Sequence, residues 1–202
     1  MALSRQQSGA ADQTHQVVGV SAPRGRKAVF LDRDGVIVVP EFRDGRSFAP
    51  VRLADYRFYP EVPAALSRLK AAGYLLVVVT NQPEVGRGLI AEEVLVEMHR
   101  QLLASFPVDS IKVCRHTADD GCNCRKPRPG MLFEAASELG ISLPDSYMVG
   151  DRGTDVEAGR AAGCRTVFID LGYTGERKPD RPSFTVSSIG QAADAILAAP
   201  PT

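Results

Sequence analysis

The chain has 202 residues, 44% of them hydrophobic, which is enough for one well-buried core and short for two full domains. Lys plus Arg and Asp plus Glu each number 24, so the formal net charge is zero and no overall basic field recruits nucleic acid or an anionic membrane. No apolar run approaches the ~20 residues that span a bilayer, and the N-terminus lacks the apolar core of a secretory signal, so a soluble, cytoplasmic protein is expected.

Residues 1–26 are rich in Gln, Ser, Gly, Ala and Arg and are expected to form a disordered arm. A single domain is expected over 27–198, followed by a frayed tail at 199–202. The first strand is the apolar run 28–31, which leads directly into Asp32-Arg33-Asp34-Gly35. Two carboxylates delivered by a buried strand carry a desolvation cost unless a cation or a reaction uses them. Residues 40–59 are expected to be a loop, with Arg43, Arg46 and Arg52 available to bind an anionic group. Val62, Ala65, Leu66 and Leu69 then mark one buried helix face, with Gly73 where the helix C-cap belongs. A second strand over 75–79 delivers Thr80-Asn81-Gln82, whose hydroxyl and backbone N–H groups suit a phosphoryl oxygen.

The third strand, 110–114, opens the pattern Cys114-x-His116-x5-Cys122-x-Cys124. Three thiolates and an imidazole so closely spaced match a closed tetrahedral Zn²⁺ site, and a reducing cytoplasm disfavours disulfides. Four protein ligands leave no open position, so this zinc is expected to be structural and to order the segment Arg125-Lys126-Pro127 that follows. Leu132, Ala135, Ala136 and Leu139 mark a second buried helix face ending at Gly140. A strand over 147–149 leads into Gly150-Asp151-Arg152-Gly153-Thr154-Asp155, and Cys164 and the strand 166–169 complete the readable part of the core. Alternation of strands and helices argues an α/β fold with a mostly parallel sheet. Right-handed crossovers would bring Asp32, Thr80 and Asp151 to one sheet edge, where ligands of such folds bind.

Asp-x-Asp-Gly after a strand, Thr80, Lys126 and the Gly150-to-Asp155 segment, in that order, resemble the four motifs of the haloacid dehalogenase (HAD) superfamily of aspartate-dependent phosphatases. The resemblance covers residues 27–175. It implies a Rossmann-like three-layer fold and a Mg²⁺-dependent phosphatase. Asp32 is then the nucleophile, Asp34 the general acid and base, and Thr80 and Lys126 the groups that hold the phosphoryl. Asn81, Gln82 and Arg125 are the implied substrate contacts. Mg²⁺ is implied at Asp32, the backbone carbonyl of Asp34, and Asp151, with Asp155 acting from outside the ligand set. Neither gap between these motifs has room for a cap domain, so specificity is expected to lie in loops.

The zinc loop running into "CRKPRPGML" resembles the branch that holds heptose 1,7-bisphosphate 7-phosphatases and histidinol-phosphate phosphatases. Pro129-Gly130-Met131 favours the heptose enzymes, which makes a small phosphorylated sugar the expected partner of a monomeric enzyme. The short His116-to-Cys122 spacer favours the histidinol-phosphate type. A polynucleotide 3′-phosphatase is the third reading, disfavoured by zero net charge and the lack of Trp.

Overall fold

The structure is a computed structural model that describes residues 25–200. Six parallel strands form the sheet: β1 (Ala28–Leu31), β4 (Leu75–Asn81), β5 (Ser110–Cys114), β6 (Tyr147–Gly150), β7 (Arg165–Ile169) and β8 (Phe184–Val186), in the order β5-β4-β1-β6-β7-β8. Central β1 pairs Ala28 with Leu75 on one side and Val29 with Tyr147 on the other. All four β1 residues are fully buried, as the continuous apolar run requires when helices cover both faces.

Alternate β1 residues feed two cores. Val29 and Leu31 pack on the side of α1 (Val62–Ala71), α3 (Glu92–Ser105) and α6 (Ile189–Ala198), with Leu66, Leu69, Met98, Leu102 and Ile196. Ala28 and Phe30 pack on the side of α4 (Gly130–Leu139) and α5 (Gly153–Ala161), with Met131, Leu132 and Ala158. Every α1 position expected to be buried is buried. On α4, Leu132 and Ala135 are buried while Ala136 and Leu139 are only partly so. Truncating a fully buried leucine such as Leu66 to Ala is worth roughly 2–5 kcal/mol. Gly73 and Gly140 follow their helices with φ of 84° and 64°, the left-handed conformation that ends a helix without steric cost.

Residues 40–59 are more ordered than a loop. Glu41–Arg43 (β2) and Arg46–Phe48 (β3) form an antiparallel hairpin whose turn, Asp44-Gly45, has φ of 49° and 74°. Asp-Gly with both residues at positive φ is the two-residue turn that suits strand twist. Three-residue strands are too short to show alternation, so only the turn dipeptide signalled the hairpin. Between β4 and β5 lie a short turn of helix, α2 (Pro83–Gly86), and α3. Neither connection holds a separate domain.

The arm expected over 1–26 lies outside the described residues up to position 24. Gly25 and Arg26 belong to the fold, where Arg26 N–H donates to Gly140 O at 2.8 Å and Ser142 N–H donates to Arg26 O at 2.9 Å. Residues 201–202 of the expected tail also lie outside the described residues. Among the described residues, no helix is long and apolar enough to cross a membrane.

Candidate active site

Strand ends place the acids. Asp32 leaves β1 with its N–H still donating to Val149 O of β6 at 2.9 Å, which fixes its position against the sheet. Oδ1 of Asp32 accepts from Arg33 N–H at 2.8 Å and lies 2.9 Å from Nζ of Lys126. Lys126 is buried, and its ammonium has three acceptors: Asp32, Asp155 Oδ1 at 2.6 Å, and Val79 O at 2.8 Å. Burial opposes its charge, but Asp155 and Asp32 outweigh burial and hold its pKa above the ordinary lysine value. Asn81 positions this lysine: its Nδ2 donates to Lys126 O and its Oδ1 accepts from Lys126 N–H, both at 3.1 Å.

Asp151, just past β6, is also buried. Oδ2 accepts from the Tyr173 hydroxyl at 2.7 Å, while Oδ1 has no hydrogen-bond partner. Carboxylate oxygens of Asp32, Asp151 and Asp155 lie within 4.8 Å of one another. Burial, and then the charges of Asp32 and Asp155, push the Asp151 carboxyl well above its usual range. Three crowded acids and an orphaned buried oxygen are what a divalent cation relieves. Gly35 is the other requirement of this corner. Its φ is +85°, and a Cβ there would sit 2.0 Å from Asp151 Oδ2.

Asp155 stands beside these two acids. Its carboxylate sits inside the acid cluster and is already occupied: Oδ2 accepts from Arg152 N–H at 3.0 Å, capping α5, and Oδ1 faces Lys126. Burial raises its pKa to about 6 in spite of Lys126.

Asp34 lines the cleft, but its carboxylate turns away from this cluster toward Arg33 and Gln82. Gln82 was expected to touch substrate, and the structure corrects this. It is fully buried, Nε2 donates to Thr80 Oγ1 at 2.9 Å and to Asp34 Oδ2 at 2.8 Å, and Oε1 accepts from Arg33 at 2.9 Å. An amide so occupied supports the acids and does not reach the cleft. The bond from Gln82 uses a lone pair of Thr80 and leaves its hydroxyl proton available to donate.

The cleft above these residues has a volume of about 610 Å³. Arg46, Arg87, Arg125 and Arg177 line it and form no ion pair with any described residue, alongside carboxylates that include Glu84 and Glu157. Arg125 donates to His116 O at 3.1 Å, tying the cleft wall to the cysteine loop. Arg43 and Arg52 lie elsewhere, lining a separate depression where they pair with Glu41 at 3.7 Å and Asp55 at 2.7 Å. Of the three arginines expected to bind an anion, only Arg46 faces the cleft.

Cys114, His116, Cys122 and Cys124 converge, with Cys114 Sγ 3.6 Å from His116 Nδ1 and 3.7 Å from Cys122 Sγ. Cys124 Sγ is 3.2 Å from His116 Nδ1 and 3.5 Å from Cys122 Sγ. A zinc tetrahedron has edges of roughly 3.5–3.8 Å, so these donors fit one ion. Cys164 is buried apart from them among apolar residues, and burial pushes its thiol up to about 12.

Sequence reasoning missed Arg33, His99 and Tyr173. Arg33 was in view between two aspartates. His99 lies within an ordinary amphipathic helix and Tyr173 follows no motif, so only their contacts reveal them.

The model of the HAD-hydrolase-like family matches residues 123–192, a span that takes in Lys126, Asp151 and Asp155. A D-glycero-beta-D-manno-heptose-1,7-bisphosphate 7-phosphatase of Rhodopseudomonas palustris is 37% identical over 71% of this chain and 82% of its own. Its counterpart in Pseudomonas aeruginosa is 38% identical over 73% of this chain and 83% of its own. Among solved structures, the D,D-heptose 1,7-bisphosphate phosphatase of B. bronchiseptica, complexed with magnesium and phosphate, superposes with a TM-score of 0.69 at 30% identity, covering 85% of this chain and 98% of its own. A capless parallel sheet with Lys126 gripping Asp32 at its edge is the frame of a HAD-type phosphatase. Within that class the chain belongs to the family of the D-glycero-beta-D-manno-heptose-1,7-bisphosphate 7-phosphatases.

Proposed function

We propose that the protein removes the 7-phosphate of D-glycero-D-manno-heptose 1,7-bisphosphate through a phosphorylated Asp32. The observation that carries this reading is the pairing of Asp32 with Lys126 at the floor of a cleft whose unpaired arginines can take a second anionic group. Carboxylates on the same walls can accept sugar hydroxyls. In the first half-reaction a carboxylate oxygen of Asp32 attacks phosphorus, the bond to the sugar oxygen breaks, and Asp34 protonates the departing alkoxide. In the second, Asp34 takes a proton from water as that water attacks phosphorus and Asp32 leaves. Lys126 and the Thr80 hydroxyl hold phosphoryl oxygens, and Arg125 with Asn81 lines the approach.

Asp32, Asp151 and the backbone carbonyl of Asp34 would hold Mg²⁺, with Asp155 holding Lys126 beside them. That ion supplies positive charge where an anionic nucleophile meets an anionic phosphate. Cys114, His116, Cys122 and Cys124 would hold a structural Zn²⁺ that braces Arg125 and Lys126.

Histidinol phosphate carries an ammonium where the bisphosphate carries its second phosphate, and unpaired arginines repel it. A 3′-phosphorylated oligonucleotide would need a series of stacking platforms, whereas Phe48 is the one aromatic among the described residues that line the cleft. Measuring kcat/KM for all three substrates tests the reading, with the bisphosphate expected to lead by about tenfold or more. A preference for histidinol phosphate would overturn the assignment of substrate.

A further inference from the structure

Arg33 is fully buried and yet charged, an expensive arrangement unless every donor is matched. Nε lies 3.1 Å from Asp34 Oδ1 and 3.2 Å from Oδ2, and Nη2 donates to Asp34 Oδ2 at 2.9 Å and to Gln82 Oε1 at 2.9 Å. Nη1 lies 3.4 Å from His99 Nε2, and the guanidinium carbon stands 5.6 Å from the ring centre of Tyr56. Burial and the adjacent Arg33 depress the His99 pKa to about 4, so its ring is neutral at neutral pH and Nε2 can accept. The residue just after β4, helix α3 and the segment before α1 each lend one group to this socket. An apolar side chain would fill the same volume without desolvating a charge.

We propose that Arg33 is the positioning residue for Asp34, seated by His99, Tyr56 and Gln82, and that it selects Oδ1 of Asp34 as the oxygen that exchanges the proton. Oδ2 receives three donors, two from Arg33 and one from Gln82 Nε2, and has no lone pair left to work with. Oδ1 receives only Arg33 Nε, and the Asp34 side chain is 15% exposed at the cleft wall. A planar fork fixes the plane of the carboxylate as a lysine could not. The residue between the two catalytic aspartates therefore sets which face of the second one meets the leaving group.

Given the phospho-Asp32 route proposed above, misplacing Asp34 harms a poor leaving group far more than a good one. The test is rapid-quench kinetics of wild type and Arg33→Met with an alkyl phosphate and with 4-nitrophenyl phosphate. The alkyl ester needs its oxygen protonated, and its phosphorylation step is expected to slow by about 100-fold or more. Nitrophenolate departs unaided, so its first-turnover burst is expected to stay within about threefold of wild type, followed by slow turnover as phospho-Asp32 accumulates. KM is expected to change little for the alkyl ester, whose two steps both slow, and to fall for 4-nitrophenyl phosphate as phospho-Asp32 accumulates. An equal loss on both esters, or wild-type turnover of the alkyl ester, overturns the proposal and leaves Arg33 a structural ion pair. Should Arg33→Met fail to fold, His99→Leu decides. It keeps the Arg33 fork and removes one support, so the same selective loss is expected at about three- to tenfold, and an unselective loss or none rejects the idea. A wild-type enzyme that forms no phosphoenzyme, or an Asp32→Asn variant that still turns over, would instead sink the aspartyl-phosphate reading itself.

Discussion

Tyr173 donates its hydroxyl to Asp151 at 2.7 Å, joining the loop after β7 to an acid of the proposed Mg²⁺ site. On its other side Tyr173 stacks with Phe42 of the β2–β3 hairpin, ring centres 5.8 Å apart. A hairpin on the surface and an acid on the floor of the site are thus joined through one side chain. Tyr173→Phe keeps the stack and removes the bond that orients Asp151. The Mg²⁺ concentration for half-maximal activity is expected to rise about tenfold, with kcat at saturating Mg²⁺ much less affected. An unchanged Mg²⁺ titration would show that Asp151 does not need this partner.

Gly35 is the tightest backbone approach to the acids, because a Cβ there meets Asp151 Oδ2 at 2.0 Å. Gly35→Ala is expected to lower kcat by on the order of 100-fold by displacing Asp151. It should also cost roughly 1–3 kcal/mol of stability through positive φ. Gly88→Ala is the control: its φ is +69° with nothing within 4 Å of the added Cβ. It should carry the backbone cost, about 1 kcal/mol, without the loss of kcat. Equal activity in both variants would remove the steric argument.

Much of this was visible in the chain because buried strands and two-faced helices leave strong periodic signals. Residues 28–31, 75–79 and 147–149 read directly as strands, since a parallel sheet covered on both faces admits no polar interruption. Strand-end acids were legible for a related reason: Asp32 and Asp151 each close an apolar run, and it was their order along the chain with Thr80 and Lys126 that set them apart from an ordinary turn or helix cap. The β2–β3 hairpin and β8 were not, being three residues each and half exposed. Arg43 and Arg46 stand directly opposite each other in the hairpin, and what separates them is the turn of each side chain, Arg46 toward Gly175 O and Arg43 over the Phe48 ring beside Glu41, which composition does not encode. Gln82 shows the opposite error. Its place in a motif suggested contact with substrate, while its burial makes it a brace between Thr80, Asp34 and Arg33.

Metal analysis of protein purified without chelator is expected to find one zinc per chain, because four donors lie 3.2–3.7 Å apart across their contacts. Cys122→Ser should lose that zinc. Arg128 donates to the carbonyls of Gly121 and Cys122, and Arg125 to that of His116, so both arginines depend on the loop's shape. Activity is therefore expected to fall by about tenfold or more although no proposed catalytic group is altered. Full activity in metal-free protein would reduce the cluster to coincidence.

His99 gives a pH dependence of known sign. Burial first, then Arg33 and Arg115, lower its pKa from 6.5 to about 4, with Glu92 opposing. A group whose folded pKa is depressed contributes no loss above pH 6.5, where both states are neutral. As pH falls from 6.5 to about 4 the unfolded state takes up the proton first, so stability declines across that window. The full loss is roughly 3 kcal/mol. Asp151 and Asp155, whose folded values are raised, act in the opposite sense, so the measurable quantity is a difference. Urea denaturation of His99→Gln and wild type in saturating Mg²⁺ should converge in ΔG as pH drops from 7 to 4. Parallel curves would mean that His99 titrates normally.

Arg46 is the residue expected to govern the proposed substrate choice. It faces the cleft from β3, with Nε donating to Gly175 O at 3.3 Å and its remaining guanidinium nitrogens available to an anion. Arg43 and Arg52 pair with their own neighbours beside a separate depression. Charged hydrogen bonds to phosphate are worth roughly 1.5–3 kcal/mol, less where water screens them. Arg46→Ala is therefore expected to raise KM for heptose bisphosphate about tenfold and to leave kcat nearly unchanged. Arg43→Ala and Arg52→Ala should stay within about twofold of wild type, as exposed surface pairs contribute little. A sugar monophosphate lacks the second anionic group, so Arg46→Ala should not change its KM. If Arg46→Ala weakened both substrates equally, or Arg43→Ala weakened the bisphosphate as much, the second phosphate would have to bind elsewhere on the cleft wall.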